Sequence, residues 1–235
     1  CCRILALFLL FCLCIEARAE ESPGLEVVVT GVDGRLLTNI YDRLAINLQK
    51  DNRSLRPAAI RRLHGRAPEQ ITGALAPFGY YNPKVESSLV REDSGWRATY
   101  RVEKGEPVIV EGVKIELRDG VLHPVLQGAI ASFVIQEGQI LDQPLYEKEK
   151  RRLLNTAIGE GFLDAEFSRQ ELRIDRVENQ AQVLLTLKTG PQFLFGETSG
   201  GEEIIRKSLM DRYLPYREGE PYREAELYEL QSILY

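Results

Sequence analysis

The chain has 235 residues, of which 44% are hydrophobic and 28% charged, and a formal net charge of −5. That length holds two or three small domains, and the composition is that of a soluble globular protein. Mild acidity without a basic stripe argues against a nucleic-acid binder, and the interspersed charges read as solvated faces rather than a tail.

All four cysteines, Cys1, Cys2, Cys12 and Cys14, fall in one apolar N-terminal run. The run continues to Ile15 and is followed by Ala17-Arg18-Ala19. This pattern predicts a secretory signal over residues 1–19, cleaved between Ala19 and Glu20, because the run has h-region length and is short for a membrane span. The basic n-region is thin, with Arg3 alone, and the chain starts with Cys1, so some N-terminal residues are expected to be missing. A lipoprotein signal at Cys12 is the competing pattern. Phe11 argues against it, since that site needs a small residue before the cysteine. After cleavage the chain is free of cysteine, which suits a bacterial envelope better than a disulfide-built extracellular scaffold.

Leu25–Thr30 is a β-branched run and predicts a first strand. Asp33-Gly34 turns into a helix with Leu37, Ile40, Leu44 and Leu48 at helical spacing. After the polar break Asp51–Ser54, a second helix carries Ile60, Leu63, Ala67, Ile71 and Leu75, with Pro68 predicted to kink or restart it. Gly79 then stands where a helix end needs the left-handed conformation, and Pro83 prevents resumption. Tyr80 and Tyr81 follow, with at least one ring expected to fold back over the helix end as an apolar plug. A hairpin completes the block. Lys84–Val90 pairs across Glu92-Asp93-Ser94-Gly95 with a strand whose Trp96, Ala98, Tyr100 and Val102 point one way and Arg97, Thr99, Arg101 and Glu103 the other.

The order repeats. Val108–Leu117 reads as a strand with a bulge at its glycine, and His123–Phe133 as a helix using Val125, Leu126, Ala129, Ile130 and Phe133. Gln143-Pro144 opens a helix that runs to Gly159-Glu160-Gly161, where Phe162 stands in the place of Tyr80. The hairpin Ala165–Ile174 and Ala181–Thr189 follows, turning at Glu178-Asn179. A third copy begins at Gln192–Phe195 with a helix expected over residues 202–213. Glu218-Gly219 parallels Glu137-Gly138, and the sequence stops at Tyr235 inside the next helix, before a glycine stop and hairpin. A period of roughly 80 residues is far longer than a solenoid repeat, so each copy holds its own core. The expected division is residues 24–104, 106–189 and an incomplete 191–235.

No catalytic, metal-ligating or cofactor-binding constellation stands out. His64 and His123 lie in different copies without H-x-x-x-H spacing and read as surface or helix-boundary residues. No nucleophile elbow or P-loop occurs. Glu147, Glu149 and Glu160, like Glu224, Glu226 and Glu229, fall among basic residues at helical spacing and read as solvated helix faces. The aromatics Tyr80, Tyr81 and Phe162 read as core rather than as a ligand cage. The chain is expected not to be an enzyme.

Tandem βααββ copies, a Gly-aromatic turn and the linkers at Gly105–Pro107 and Gly190–Pro191, in an exported chain, resemble POTRA domains. The first copy is more specific. Val29, Gly31, Val32, Gly34, Leu36, Asn39 and Ile40, then Arg61-Arg62-Leu63-His64 and Phe78-Gly79-Tyr80-Tyr81 with Pro83, resemble the first POTRA of the TamA family in the BamA/TamA superfamily. Relatives of the BamA, two-partner-secretion and FtsQ types fit the leader and copy number less well. The resemblance implies an α+β fold of three-stranded mixed sheets, each covered by two helices. It also implies a C-terminal outer-membrane barrel that this sequence does not include.

By the same resemblance the region stands in the periplasm and serves the assembly of outer-membrane proteins, autotransporters among them. Its partner is then a TamB-like inner-membrane-anchored protein docking on the first POTRA. In such domains the first hairpin strand is a sheet edge, open to β-augmentation. The candidate residues are Lys84, Val85, Glu86, Ser87, Ser88, Leu89 and Val90 in the first copy, and Phe167, Arg169, Glu171 and Arg173 in the second. Charges on these strands equally serve to protect an edge from aggregation.

Overall fold

The computed structural model describes residues 24–93, 95–119, 123–198 and 212–234. The signal segment with Ala19 and Glu20, and most of the helix expected over residues 202–213, lie outside the described residues.

The first unit runs β1 (Gly24–Thr30), α1 (Gly34–Arg43), α2 (Ala45–Leu48), α3 (Pro57–Leu75), β2 (Lys84–Glu92) and β3 (Gly95–Glu103). Its sheet has the order β1-β3-β2, with β1 parallel and β2 antiparallel to β3. The alternation along β3 is as expected: Trp96, Ala98, Tyr100 and Val102 are buried against the helices with Leu25, Val29, Ile40, Ile60 and Ile71. The first helix differs from a single apolar stripe. Leu44 is extended (ψ 101°) and breaks it in two, so the apolar phase shifts beyond it. Ile46 is buried in the place expected of Leu48, which is 63% exposed. Gln70 meets the cost of the break, its Oε1 accepting from the Ala45 N–H at 3.1 Å.

Helix α3 runs unbroken through Pro68, which only removes the bond to the carbonyl four residues back. It ends in a 3-10 turn (Ala76–Phe78), with Gly79 left-handed at φ 87° as predicted. Asn39, from the sequence motif, donates to the Ala74 carbonyl at 2.6 Å and ties α1 to that end.

The second unit has β4 (Ile109–Arg118), α4 (Pro124–Ala131), α5 (Gln143–Gly159), β5 (Glu166–Asp175) and β6 (Gln180–Lys188), in the sheet order β4-β6-β5. The register slips between Val110 and Gly112, the bulge that the glycine predicts. Two side chains depart from the expected pattern. Val125 is exposed, because α4 is short and turns Leu126 and Ala129 inward instead. Glu149 is not on a solvated face but only 4% exposed. Its carboxylate accepts from the Val134 N–H and pairs with Arg152 at 2.9 Å, while Arg152 donates to the Ala129 carbonyl at 3.0 Å. The pair thus closes the exposed carbonyl end of α4, work a neighbouring helix rather than local sequence assigns to it. Beyond β6 lie the segment around Phe195, stacked on Tyr216 at 3.7 Å between ring centroids, and α6 (Glu224–Leu234).

Candidate functional site: open strand edges and the joints between units

In each unit the long connection through the helices makes the first strand parallel to the third, so the hairpin's first strand is left at the rim. β2 and β5 are therefore edges, as expected, and so are β1 and β4. Along β2, register places Val85, Ser87, Leu89 and Arg91 on the helix side, opposite Val102, Tyr100, Ala98 and Trp96. Lys84, Glu86, Ser88 and Val90 face the other way, and all four are exposed. Only two residues separate β2 from β3, with Glu92 opposite Gly95, so this closing pair is hydrogen-bonded and pairs alternate from there. The N–H groups of Val85, Ser87, Leu89 and Arg91 consequently point to the free edge. Among the described residues none of them has a partner there.

β5 differs in chemistry. Arg169 Nε stands 2.9 Å and Arg173 Nη2 2.8 Å from the Glu171 carboxylate. The Arg169 hydrogen bond first, and then that of Arg173, hold this carboxyl below the usual range. These three charges are spent on one another along the rim. Phe167, grouped with them in the sequence, packs inward against the core beside a second register slip. Of the two candidate edges, β2 carries the less occupied surface.

Sequence reasoning missed how the units are joined. Tyr80 packs on its own core as a plug, but Tyr81 packs against the core of the second unit. There it accepts a hydrogen bond from Gln143 and lies under the Arg176 guanidinium, 5.0 Å from the ring centroid. Arg35 crosses the same boundary to Asp142 at 2.8 Å, and Asp142 also caps α5 through the Leu145 N–H.

Beneath these side chains lies a backbone scheme that occurs twice. The Gly79 carbonyl accepts from Val108 N–H (2.8 Å), and Val108 and Val110 pair with the loop Gly138–Leu141. The Gly161 carbonyl accepts from Phe193 N–H (2.8 Å), and Phe193 and Phe195 pair with Gly219–Tyr222. A Cβ on Gly79 would stand 3.0 Å from the Leu141 carbonyl oxygen, and one on Gly161 2.5 Å from that of Tyr222. The glycines are needed both for the helix end and for the approach of the next unit. A legible sign was present in the parallel of Glu137-Gly138 with Glu218-Gly219.

His64, also from the motif, shares a 2.8 Å hydrogen bond between Nδ1 and the Tyr100 hydroxyl. Burial lowers the His64 pKa and raises that of Tyr100. His123 sits at the start of α4, edge-on to Phe162 with 5.5 Å between centroids. Among the described residues no group of three or more His, Cys, Asp and Glu is placed to hold a metal ion, and no helix is long and apolar enough to cross a membrane.

Residues 26–104 match the family model described as POTRA domain, TamA domain 1. Over these residues the chain is similar to the first POTRA domain of TamA. Its motif residues Asn39, His64, Gly79, Tyr80 and Tyr81 are those just placed at the helix end, the core and the joint. Among solved structures the chain is similar to POTRA3-5 of BamA from Haemophilus influenzae, with 12% identity, 91% of this chain and 84% of that one covered, and a TM-score of 0.44. POTRA1-3 of the periplasmic domain of Omp85 from Anabaena gives 15% identity, 89% and 83% coverage and a TM-score of 0.35. The N-terminal domain of Omp85 from Thermosynechococcus elongatus gives 17% identity, 89% and 83% coverage and a TM-score of 0.33.

Proposed function

We propose that this chain is the periplasmic POTRA region of a TamA-like outer-membrane assembly factor. It comprises a leader removed after Ala19, two complete POTRA domains over residues 24–104 and 106–189, and the start of a third over residues 191–235. It works without chemistry of its own, as a docking and chaperoning scaffold for autotransporters and other outer-membrane proteins on their way to insertion. A TamB-like inner-membrane-anchored protein docks on the first domain.

The observation that carries this reading is the open β2 edge of a unit that matches the TamA-type model, with outward N–H groups at Val85, Ser87, Leu89 and Arg91. Main-chain pairing accepts many client sequences, because it reads the backbone and leaves side chains free to vary. Deletion of residues 24–104 from the full-length protein tests the docking assignment. Co-purification of the TamB-like partner is lost while the remaining domains keep their fold by circular dichroism; undiminished capture contradicts the assignment.

A further inference from the structure

The two joints reveal what the first strand of each unit holds on its outer side. Val110 and Phe195 occupy equivalent places in the second and third units. Each donates its N–H to a returning loop (Gln139 and Glu220 carbonyls, 2.8 Å) and accepts from that loop at its carbonyl (Gly138 and Gly219 N–H, 2.8 Å). The loop runs antiparallel to the strand start in both, at Ile109–Ile140 and Leu194–Pro221.

In the first unit the equivalent residue is Leu25, since Leu25 pairs with Trp96 as Val110 pairs with Ala181. The Val29 N–H reaches outward to the Tyr41 hydroxyl at 3.2 Å. Counting back by two puts the N–H and C=O of Val27 and Leu25 on the same free side. Here no loop returns. Residues 49–55 bond among themselves and back to Asn47, and among the described residues neither group of Leu25 has a partner on that side. In place of the loop is an open notch of about 500 Å³ lined by Gly24, Leu25, Val27, Lys50, Glu92 and Trp96. Trp96 itself is 8% exposed, and among the described residues its indole Nε1 has no hydrogen-bond partner.

We propose that this notch on β1 takes an extended segment of a partner polypeptide, running antiparallel to Gly24–Val27 and pairing with Leu25 as the loops pair with Val110 and Phe195. The occupant is an extended chain because that is what fills the same position twice in this molecule, with two backbone bonds each time. It reads backbone, with an apolar side chain set against Leu25, Val27 and Trp96. The site is separate from the β2 edge and stands whether or not β2 takes clients.

Trp96 is the single tryptophan of the chain, so its indole resonance is an unambiguous reporter. The full chain without residues 1–19 is titrated with a synthetic peptide of residues 135–142, Ile-Gln-Glu-Gly-Gln-Ile-Leu-Asp, which contains the loop that fills this position in the second unit. Saturable shifts of the Trp96 indole and of the Leu25 and Val27 amides are expected, with the amides of Lys84–Val90 unmoved. Leu25→Pro removes the outward N–H equivalent to that of Val110 but spares the bonds to β3, and binding weakens at least about fivefold, whereas Leu25→Val retains it. Shifts confined to β2, or no shift at Trp96, overturn the proposal. So does an indole already paired by the chain's own leader when residues 1–19 are present.

Discussion

Gly79 and Gly161 are the residues on which the most depends for their size. Each combines a positive φ with a backbone carbonyl of the next unit where a Cβ would lie. Alanine there costs on the order of 1–3 kcal/mol from conformation alone. The closer contact, 2.5 Å against 3.0 Å, makes Gly161→Ala the more damaging. Urea midpoints of the two variants check this order. His64 gives a pH prediction. Its pKa is lowered in the folded state, so below its ordinary value of 6.5 the unfolded chain binds a proton that the folded chain does not. Stability therefore falls as pH drops from about 6.5 to the lowered folded pKa, and is flat above. Urea titrations across that window show the slope, and His64→Gln removes it. The sequence marked both positions, Gly79 by its place before Pro83 and His64 by its motif. It could not show the partners of either, because Leu141 and Tyr100 lie 62 and 36 residues on.

At the scale of elements, strand and helix order was legible because alternation along β3 and the glycine stops are local signals. The break at Leu44 was not, since Leu37, Ile40, Leu44 and Leu48 satisfy helical spacing whether or not the chain bends. Glu149 was misread for a related reason: nothing near it in sequence says that α4 will end against it. Edge strands follow from topology, and β2 offers a sharp test. Ser88 points its N–H at β3 and Ser87 points its N–H at the free edge, as the alternation from Glu92–Gly95 requires. Ser88→Pro breaks the ladder and lowers the melting temperature markedly, while Ser87→Pro is tolerated. Calorimetry of the two variants reads the difference, and a larger loss for Ser87→Pro would place the hydrogen-bonding parity the other way.

At the scale of the molecule, the repeated Gly joint makes neighbouring units bodies in contact rather than beads on a linker. The first joint is reinforced by side chains. Tyr81→Ala removes a half-buried ring with its bond to Gln143, and is expected to split one cooperative melt of the first two units into two transitions. Arg35→Gln has a far smaller effect, below about 1 kcal/mol, because Arg35 is largely exposed. Units so jointed present their edges at set spacing, and under the proposed function the β2 edge receives extended clients. Hydrogen–deuterium exchange of the whole chain tests it most directly, with and without a peptide of about ten residues patterned like an outer-membrane strand. Exchange is expected to slow at the outward N–H groups of Val85, Ser87 and Leu89, with the joints and α5 unchanged. Unaltered exchange along β2, or protection confined to helix surfaces, would contradict it.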